Sequence, residues 1–291
     1  MARATLRLPG GRRLEISGPE SDKSVLGALV YSEGEWETHI QALFERLVQP
    51  DWECLDLGAN IGVHTLNLAS LASRVFAFEA SIENFEFLVH NVRVAGLAEK
   101  VDPINKAVWR EAGELQLFWS EGLAGCAHVM EDGSSDLGRA QLRSVVSNPF
   151  LEESLFAGTC RRVEAICLDD WADNIGLSRI DLVKIDVEGA EVGALQGARK
   201  MLARHAPLIV TEYNPACAKA YFNQPPSAYF TLLSEICEDI RIVLPGGIVS
   251  APIGWSYLET YLARDAEWAD LLCSVKGRGA RFGVLGEHIG E

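Results

Sequence analysis

The chain is short of the features that would place it quickly in a functional class. Seven cysteines occur in 291 residues, yet none form a C-x-x-C pair or a zinc-ligand spacing, which excludes the common structural zinc modules. Most lie among apolar neighbours and read as buried thiols of a reducing compartment, so the expected location is cytoplasmic. No apolar run reaches the ~18 residues that a membrane span needs. The first 17 residues carry four arginines without the apolar centre of a signal peptide. Cations are also scarce: 26 Lys and Arg stand against 41 Asp and Glu, a formal net charge of -15. Such a surface repels phosphate backbones and anionic lipid, so neither nucleic acid nor membrane is an expected partner. There is no internal repeat, no disordered linker and no sustained heptad, and the oligomeric state is left open.

What is present is a long alternation of two hydrophobic periods. "ATLRLPGGRRLEISG" alternates around Pro9-Gly10-Gly11 as a β-hairpin does. "GEWETHIQALFERLV" places Trp36, Ile40, Leu43, Phe44 and Leu47 on one helical stripe that ends before Pro50. From Glu53 onward, strand-length runs ("CLDLGA", "RVFAFEA", "VDPINKAVW", "IDLVKIDV", "PLIVTEY", "IRIVLP") alternate with amphipathic helices such as "HTLNLASLA", "NFEFLVHNVRVAG" and "AEVGALQGARKMLARH". That order predicts an α/β, doubly wound, mostly parallel sheet covered on both faces. The expected organisation is an extension over residues 1–50 and one domain over 51–291. A polar, Gly/Ser-rich insertion at about 121–162 is too long for an ordinary connection and reads as a lid or binding loop.

In open parallel sheets, ligands bind beyond the carboxyl ends of the strands, and the first strand–turn–helix carries the cofactor. That turn here is "CLDLGANIGVHT", which reads D-x-G-x-x-x-G through Asp56, Gly58 and Gly62, with Asn60 where a dinucleotide fingerprint has its second glycine. A carboxylate at Asp56 would repel a pyrophosphate and attract an ammonium, so a cofactor carrying an amino acid fits better than NAD. Glu79 ends the next strand, 23 residues further on, where a carboxylate accepts hydrogen bonds from ribose hydroxyls. Its spacing suits NAD and S-adenosylmethionine equally.

"LDLGANIGVHTLNLA", "FAFEASIENFEFLVHN", "INKAV", "IDLVKIDVEGAEVGALQGARKML" and "PLIVTEYNP" together resemble the FkbM family of class I S-adenosylmethionine-dependent methyltransferases, in order over roughly residues 54–214. The resemblance implies a Rossmann-like seven-stranded sheet whose last strand is antiparallel, and O-methylation of a sugar, polyketide or similar small molecule. It also implies that Asp56, Gly58, Ala59, Asn60 and Gly62 face the methionine part of the cofactor and that Glu79 holds the ribose. Asn105 and Ala107 would line the adenine, and Asp186 would close the far side. Ala80 stands where the family often has proline.

Methyl transfer to an alcohol needs a base. Lys184 and Asp186 share one face of a strand, Glu188 and Glu191 follow them, and Glu212 ends the next strand. These carboxylates are expected to converge, with Asp186 or Glu212 as the base. Binding of Mg²⁺ or Ca²⁺ by Asp186, Glu188 and Glu212 is the less favoured reading. Glu191, in a helix's first turn, needs no catalytic role. His64 lies at the start of the helix after the glycine loop and reads as lining the cofactor. His128, in the insertion, is the alternative substrate-side base, set against the plain reading of a solvated loop histidine. Tyr213, Tyr221, Phe222, Tyr229 and Phe230 either stack on a sugar or pack in the core. The competing functions are an NAD-dependent oxidoreductase and a cofactor-binding module without catalysis.

Overall fold

The computed structural model describes residues 1–130, 159–264 and 268–277, without the side chains of Met130, Ala220 and Tyr221. The predicted hairpin forms from β1 (Ala2–Arg7) and β2 (Arg13–Gly18), and its turn places Gly10 and Gly11 at φ 73° and 79°, a region that side chains avoid. Two helices, Leu26–Tyr31 and Thr38–Leu47, lead into the sheet.

The strands that follow are β3 (Glu53–Leu57), β4 (Arg74–Phe78), β5 (Val101–Ile104), β6 (Ala107–Val108), β7 (Gly113–Trp119), β8 (His128–Met130), β9 (Thr159–Ile166), β10 (Leu182–Ile185), β11 (Leu208–Tyr213), β12 (Cys237–Leu244), β13 (Ile248–Val249) and β14 (Ala269–Val275). The main sheet runs β13-β12-β14-β11-β10-β3-β4-β5. Strands β5, β4, β3, β10 and β11 are mutually parallel, and β14 is antiparallel to both of its neighbours. The expected seven strands are therefore present with the last one reversed. The two-residue β13 adds an eighth because Pro245-Gly246-Gly247 folds the chain back onto β12.

Alternation along the strands sorts the core into two faces. Cys54, Val75 and Leu182 pack on one side with Leu6, Ile16, Ile40 and Phe44 of the N-terminal segment. Leu55, Phe76 and Val183 pack on the other with Leu195, Leu202 and Leu233. Residues 1–50 thus share their core with the sheet.

Two expectations are corrected, and one choice left open by the sequence falls to core packing. "VDPINKAVW" is not one strand: β5 pairs with β4, and after Asn105-Lys106 the chain crosses into a second sheet of order β6-β9-β7-β8. "AEVGALQGARKMLARH" is two helices, Glu191–Gln196 and Arg199–His205. The break falls where the Trp109 indole and carbonyl press so close that a Cβ on Gly193 or Gly197 would lie 2.1 or 2.2 Å from them. Asp169 then accepts from Lys200 N and Met201 N to start the second helix. Finally, Tyr213, Tyr229 and Phe230 are buried in the core, and Phe222 stacks on Trp109, so none of these four lines the cavity described below. The Tyr221 side chain and most of the insertion, 131–158, lie outside the described residues.

Candidate functional site

The carboxyl ends of β3, β4, β10 and β11 open on a cavity of about 220 Å³. Its floor is the turn after β3. Gly58 (φ 83°) and Ala59 donate to the Phe78 carbonyl at 3.0 and 2.9 Å. A Cβ on Gly58 would stand 1.8 Å from the Asp186 carbonyl, so only glycine lets the ends of β3 and β10 close together. Asn60 takes φ 52°, which its short side chain tolerates, and its Oδ1 accepts from Ile61 N.

Glu79 lies at the cavity wall with each carboxylate oxygen on a backbone N–H: Oε2 accepts from Asn60 N and Oε1 from Ser81 N, both at 2.8 Å. Burial raises this carboxyl to about 7, against the lowering effect of those two bonds. Each oxygen keeps a lone pair for a ligand hydroxyl. Ala80, Ala107, Val108, Leu117 and Val129 continue the wall as an apolar slot.

At the other end, Lys184 Nζ donates to Asp186 Oδ2 at 2.9 Å. Burial alone would discharge Lys184, but Asp186, Asp56 and Glu37 hold its pKa above the ordinary value. An ammonium held charged in this way is no proton acceptor. Glu188 and Glu212 also line the cavity. Burial, then the charge of Asp186 and neighbouring glutamates, raises both well above the usual carboxylate range, with Asp270 adding to Glu212 from the paired strand. Glu191 takes the structural role expected of it. Its Oε1 accepts from Val187 N and Gly189 N and ties the turn ahead of its helix, while burial raises it to about 7.

Of the residues expected at the site, Gly58, Ala59, Asn60, His64, Glu79, Ala80, Ala107, Lys184, Asp186 and Glu212 line the cavity, whereas four do not. Asp56 is 0% exposed beneath the loop, where Thr65 Oγ1 donates to its Oδ2 at 2.5 Å and its Oδ1 is buried without a partner. It sets the loop and does not reach the cavity. Gly62 (φ 100°) starts the helix Val63–Leu71 and packs on Leu88. Asn105 spends its amide on the Glu79 and Ala80 carbonyls, so it holds the backbone behind Glu79. His128 is not a substrate-side base. Alternation on β8 sends Val129 to the cavity and His128 away from it; its Nδ1 meets the Cys126 carbonyl, and burial lowers its pKa to about 4. Among the described residues, no three His, Cys, Asp or Glu side chains are arranged to hold a metal ion.

The sequence places Glu37 within reach of the pocket and Trp36 in the core, and gives no sign of Ser24 or Val25. Ser24, Val25 and Trp36 line the cavity. Asp22 fixes the first two, accepting at Oδ1 from Ser24 N and Ala124 N and at Oδ2 from Val25 N and Leu26 N. Ser24 Oγ takes Gly125 N at 2.8 Å, which locks the segment to Glu121–Cys126. Glu37 lies beside Trp36 with its Oε2 2.7 Å from His64 Nε2. Burial would raise it, yet the His64 bond and the charges of His64, Lys184 and His39 outweigh burial and hold it at about 2. Glu37 stands at the N-cap of the helix Thr38–Leu47 without a side-chain cap bond, and its carboxylate turns to His64 instead.

The crowded carboxyls fix a pH dependence. Glu79 and Glu191, raised to about 7, and Glu188, Glu212 and Asp270, raised in direction, bind protons in the folded chain that the unfolded chain releases near ~4.3. Their stabilisation is complete below the unfolded value and is lost as pH rises through the folded ones. His128 works in the opposite sense between about 4 and its ordinary value. With five carboxyls against it, the melting temperature of the ligand-free protein is expected to fall from about pH 5 to about pH 7.5. A flat or rising profile in thermal melts would show that the cluster is not strained.

The methyltransferase FkbM domain family matches residues 56–236. Methyltransferase sdnD of Sordaria araneosa is 26% identical over 154 residues, covering 49% of this chain and 59% of that protein. AMB antimetabolite synthetase AmbE of Pseudomonas aeruginosa is 28% identical over 207 residues, covering 63% of this chain and 10% of the synthetase. The chain thus spans less than two thirds of either curated relative. Among solved structures, methyltransferase FkbM from Methylobacillus flagellatus KT matches with a TM-score of 0.44 at 15% identity, over 80% of this chain and 47% of that one. A tRNA m1G37 methyltransferase from M. jannaschii (TM-score 0.39, 13% identity, over 95% of this chain and 55% of that one) and a 16S rRNA methyltransferase from T. thermophilus (TM-score 0.44, 15% identity, over 94% of this chain and 50% of that one) are also among the solved structures matched.

Proposed function

We propose that this chain, which belongs to the FkbM methyltransferase family, transfers a methyl group from S-adenosylmethionine to a hydroxyl of a small molecule, a sugar or polyketide-type product. The observation that carries the reading is Glu79, a cavity-wall carboxylate fixed by two backbone N–H groups with lone pairs left for vicinal hydroxyls.

The residues present fit that cofactor. Glu79 would hold the ribose, the slot of Ala80, Ala107, Val108 and Leu117 suits a flat apolar ring, and the Gly58–Asn60 backbone bounds the remainder. Bound there, S-adenosylmethionine supplies a methyl on a sulfonium, which needs no activation beyond alignment with the acceptor. The chain's part is to position the acceptor and take its proton. Glu212 is the base: it lines the cavity, and its raised affinity for a proton suits removal of a hydroxyl proton better than an ordinary carboxylate does. Lys184 and Asp186 stay paired and hold a fixed dipole beside it.

The excess of acidic residues supports a non-nucleic-acid acceptor. Seven free cysteines support a reducing, cytoplasmic setting. No helix among the described residues is long and apolar enough to cross a membrane.

The test is methyl transfer from labelled S-adenosylmethionine to panels of hydroxylated sugars and polyketides, beside amines and RNA. Label on a hydroxyl oxygen of a small molecule supports the reading. Label confined to nitrogen or to RNA overturns it.

A further inference from the structure

We infer that Glu37, delivered by the N-terminal segment and set by His64, holds the ammonium group of the cofactor's amino-acid tail, the role that the sequence pattern gives to Asp56. The inference rests on the S-adenosylmethionine reading of the cavity.

Asp56 cannot take this role from where it stands. It is buried on β3, its Oδ2 is bonded to Thr65, and it is absent from the cavity wall. Glu37 lies on that wall with Gly58, Ala59 and His64. One of its oxygens is fixed by His64 Nε2 at 2.7 Å, which leaves Oε1 for a ligand. The imidazole is itself held: it is buried, and the Phe44 ring meets it edge-on with centroids 5.8 Å apart.

The local charge points to a cationic ligand at this end: Glu37, Asp56 and Asp186 outnumber Lys184 and His64 however the imidazole is protonated. S-adenosylmethionine, with a sulfonium, an ammonium and one carboxylate, brings a net positive charge to offset that excess. The carboxyl of Glu37 is held at about 2, so the anion is present at every pH at which the protein would be assayed.

The test compares two ligands by titration calorimetry: S-adenosylhomocysteine, and 5′-deoxy-5′-methylthioadenosine, which keeps the adenosine and thioether but lacks the amino-acid tail. In Glu37→Gln, affinity for S-adenosylhomocysteine is expected to fall about 10- to 100-fold, while that for methylthioadenosine stays within about twofold. His64→Gln leaves the carboxylate in place but unset. It should show the same split with a smaller loss, and it keeps the comparison readable if Glu37→Gln does not fold. Equal losses for both ligands, or no loss for either, would overturn the inference while leaving the cofactor reading intact. A wild-type chain that binds neither ligand would overturn both.

Discussion

Glu79→Ala is expected to lower the affinity for S-adenosylhomocysteine by about 100-fold or more. Above pH 7, where the raised Glu79 carboxyl is ionised, hydrogen bonds to a charged group contribute about 1.5–3 kcal/mol each, and two ribose hydroxyls on one carboxylate therefore account for at least about 3 kcal/mol, or roughly two decades in Kd. The substitution also strands the Asn60 and Ser81 N–H groups that Glu79 now accepts, so the loop that bounds the site loses its anchor as well. Methylthioadenosine, which has the same ribose, should lose affinity in parallel, in contrast to the split expected for Glu37→Gln. Titration of both ligands and of NADH checks the prediction. Unchanged affinity for S-adenosylhomocysteine, or binding of NADH in its place, would mean that the cavity holds a different cofactor.

The second large effect is expected from Glu212→Gln, which should reduce kcat about 10²- to 10⁴-fold, the range for loss of a positioned base, with S-adenosylhomocysteine affinity unchanged. The pH profile makes this specific. Glu212 must be ionised to accept a proton, and burial with the charges of Asp186, Glu188, Glu191 and Asp270 raises it. The wild-type rate should therefore climb with pH along an acid limb set well above the ordinary glutamate value, and the variant should lose that limb. Asp186→Asn is the comparator, because it leaves the buried Lys184 ammonium without its partner and should cost stability as well as rate. If Glu212→Gln keeps both rate and limb while Asp186→Asn loses them, the base is Asp186.

Much of the fold was legible in the sequence because its signals are local. Period-two runs and helical stripes are decided by neighbours a few residues apart, and their alternation leaves few topologies other than a parallel sheet. The reversed β14 followed from the resemblance to a known family. The glycine turn after β3 was legible for the same reason: Gly58 and Asn60 are marked by backbone demands that hold wherever such a turn occurs.

The direction of individual side chains at the site was not legible. Asp56 and His128 had the right chemistry in the right segments, yet Thr65 takes the first and strand alternation turns the second away. Ser24 gave no local sign, Trp36 read as core and Glu37 only as a carboxylate within reach of the pocket, since all three meet the cavity only when the N-terminal segment packs on the same face as the helix Val63–Leu71.

The sequence by itself determined the sheet, its glycine loop and the carboxylate at the end of β4, because backbone geometry and hydrophobic period act within a short span of chain. Tertiary structure alone decided which polar groups meet. Glu37 with His64, Glu212 with Asp270 and Asp22 with Ala124 are brought together from 27, 58 and 102 residues apart. Their energies depend on burial and distance, which no span of neighbouring residues contains.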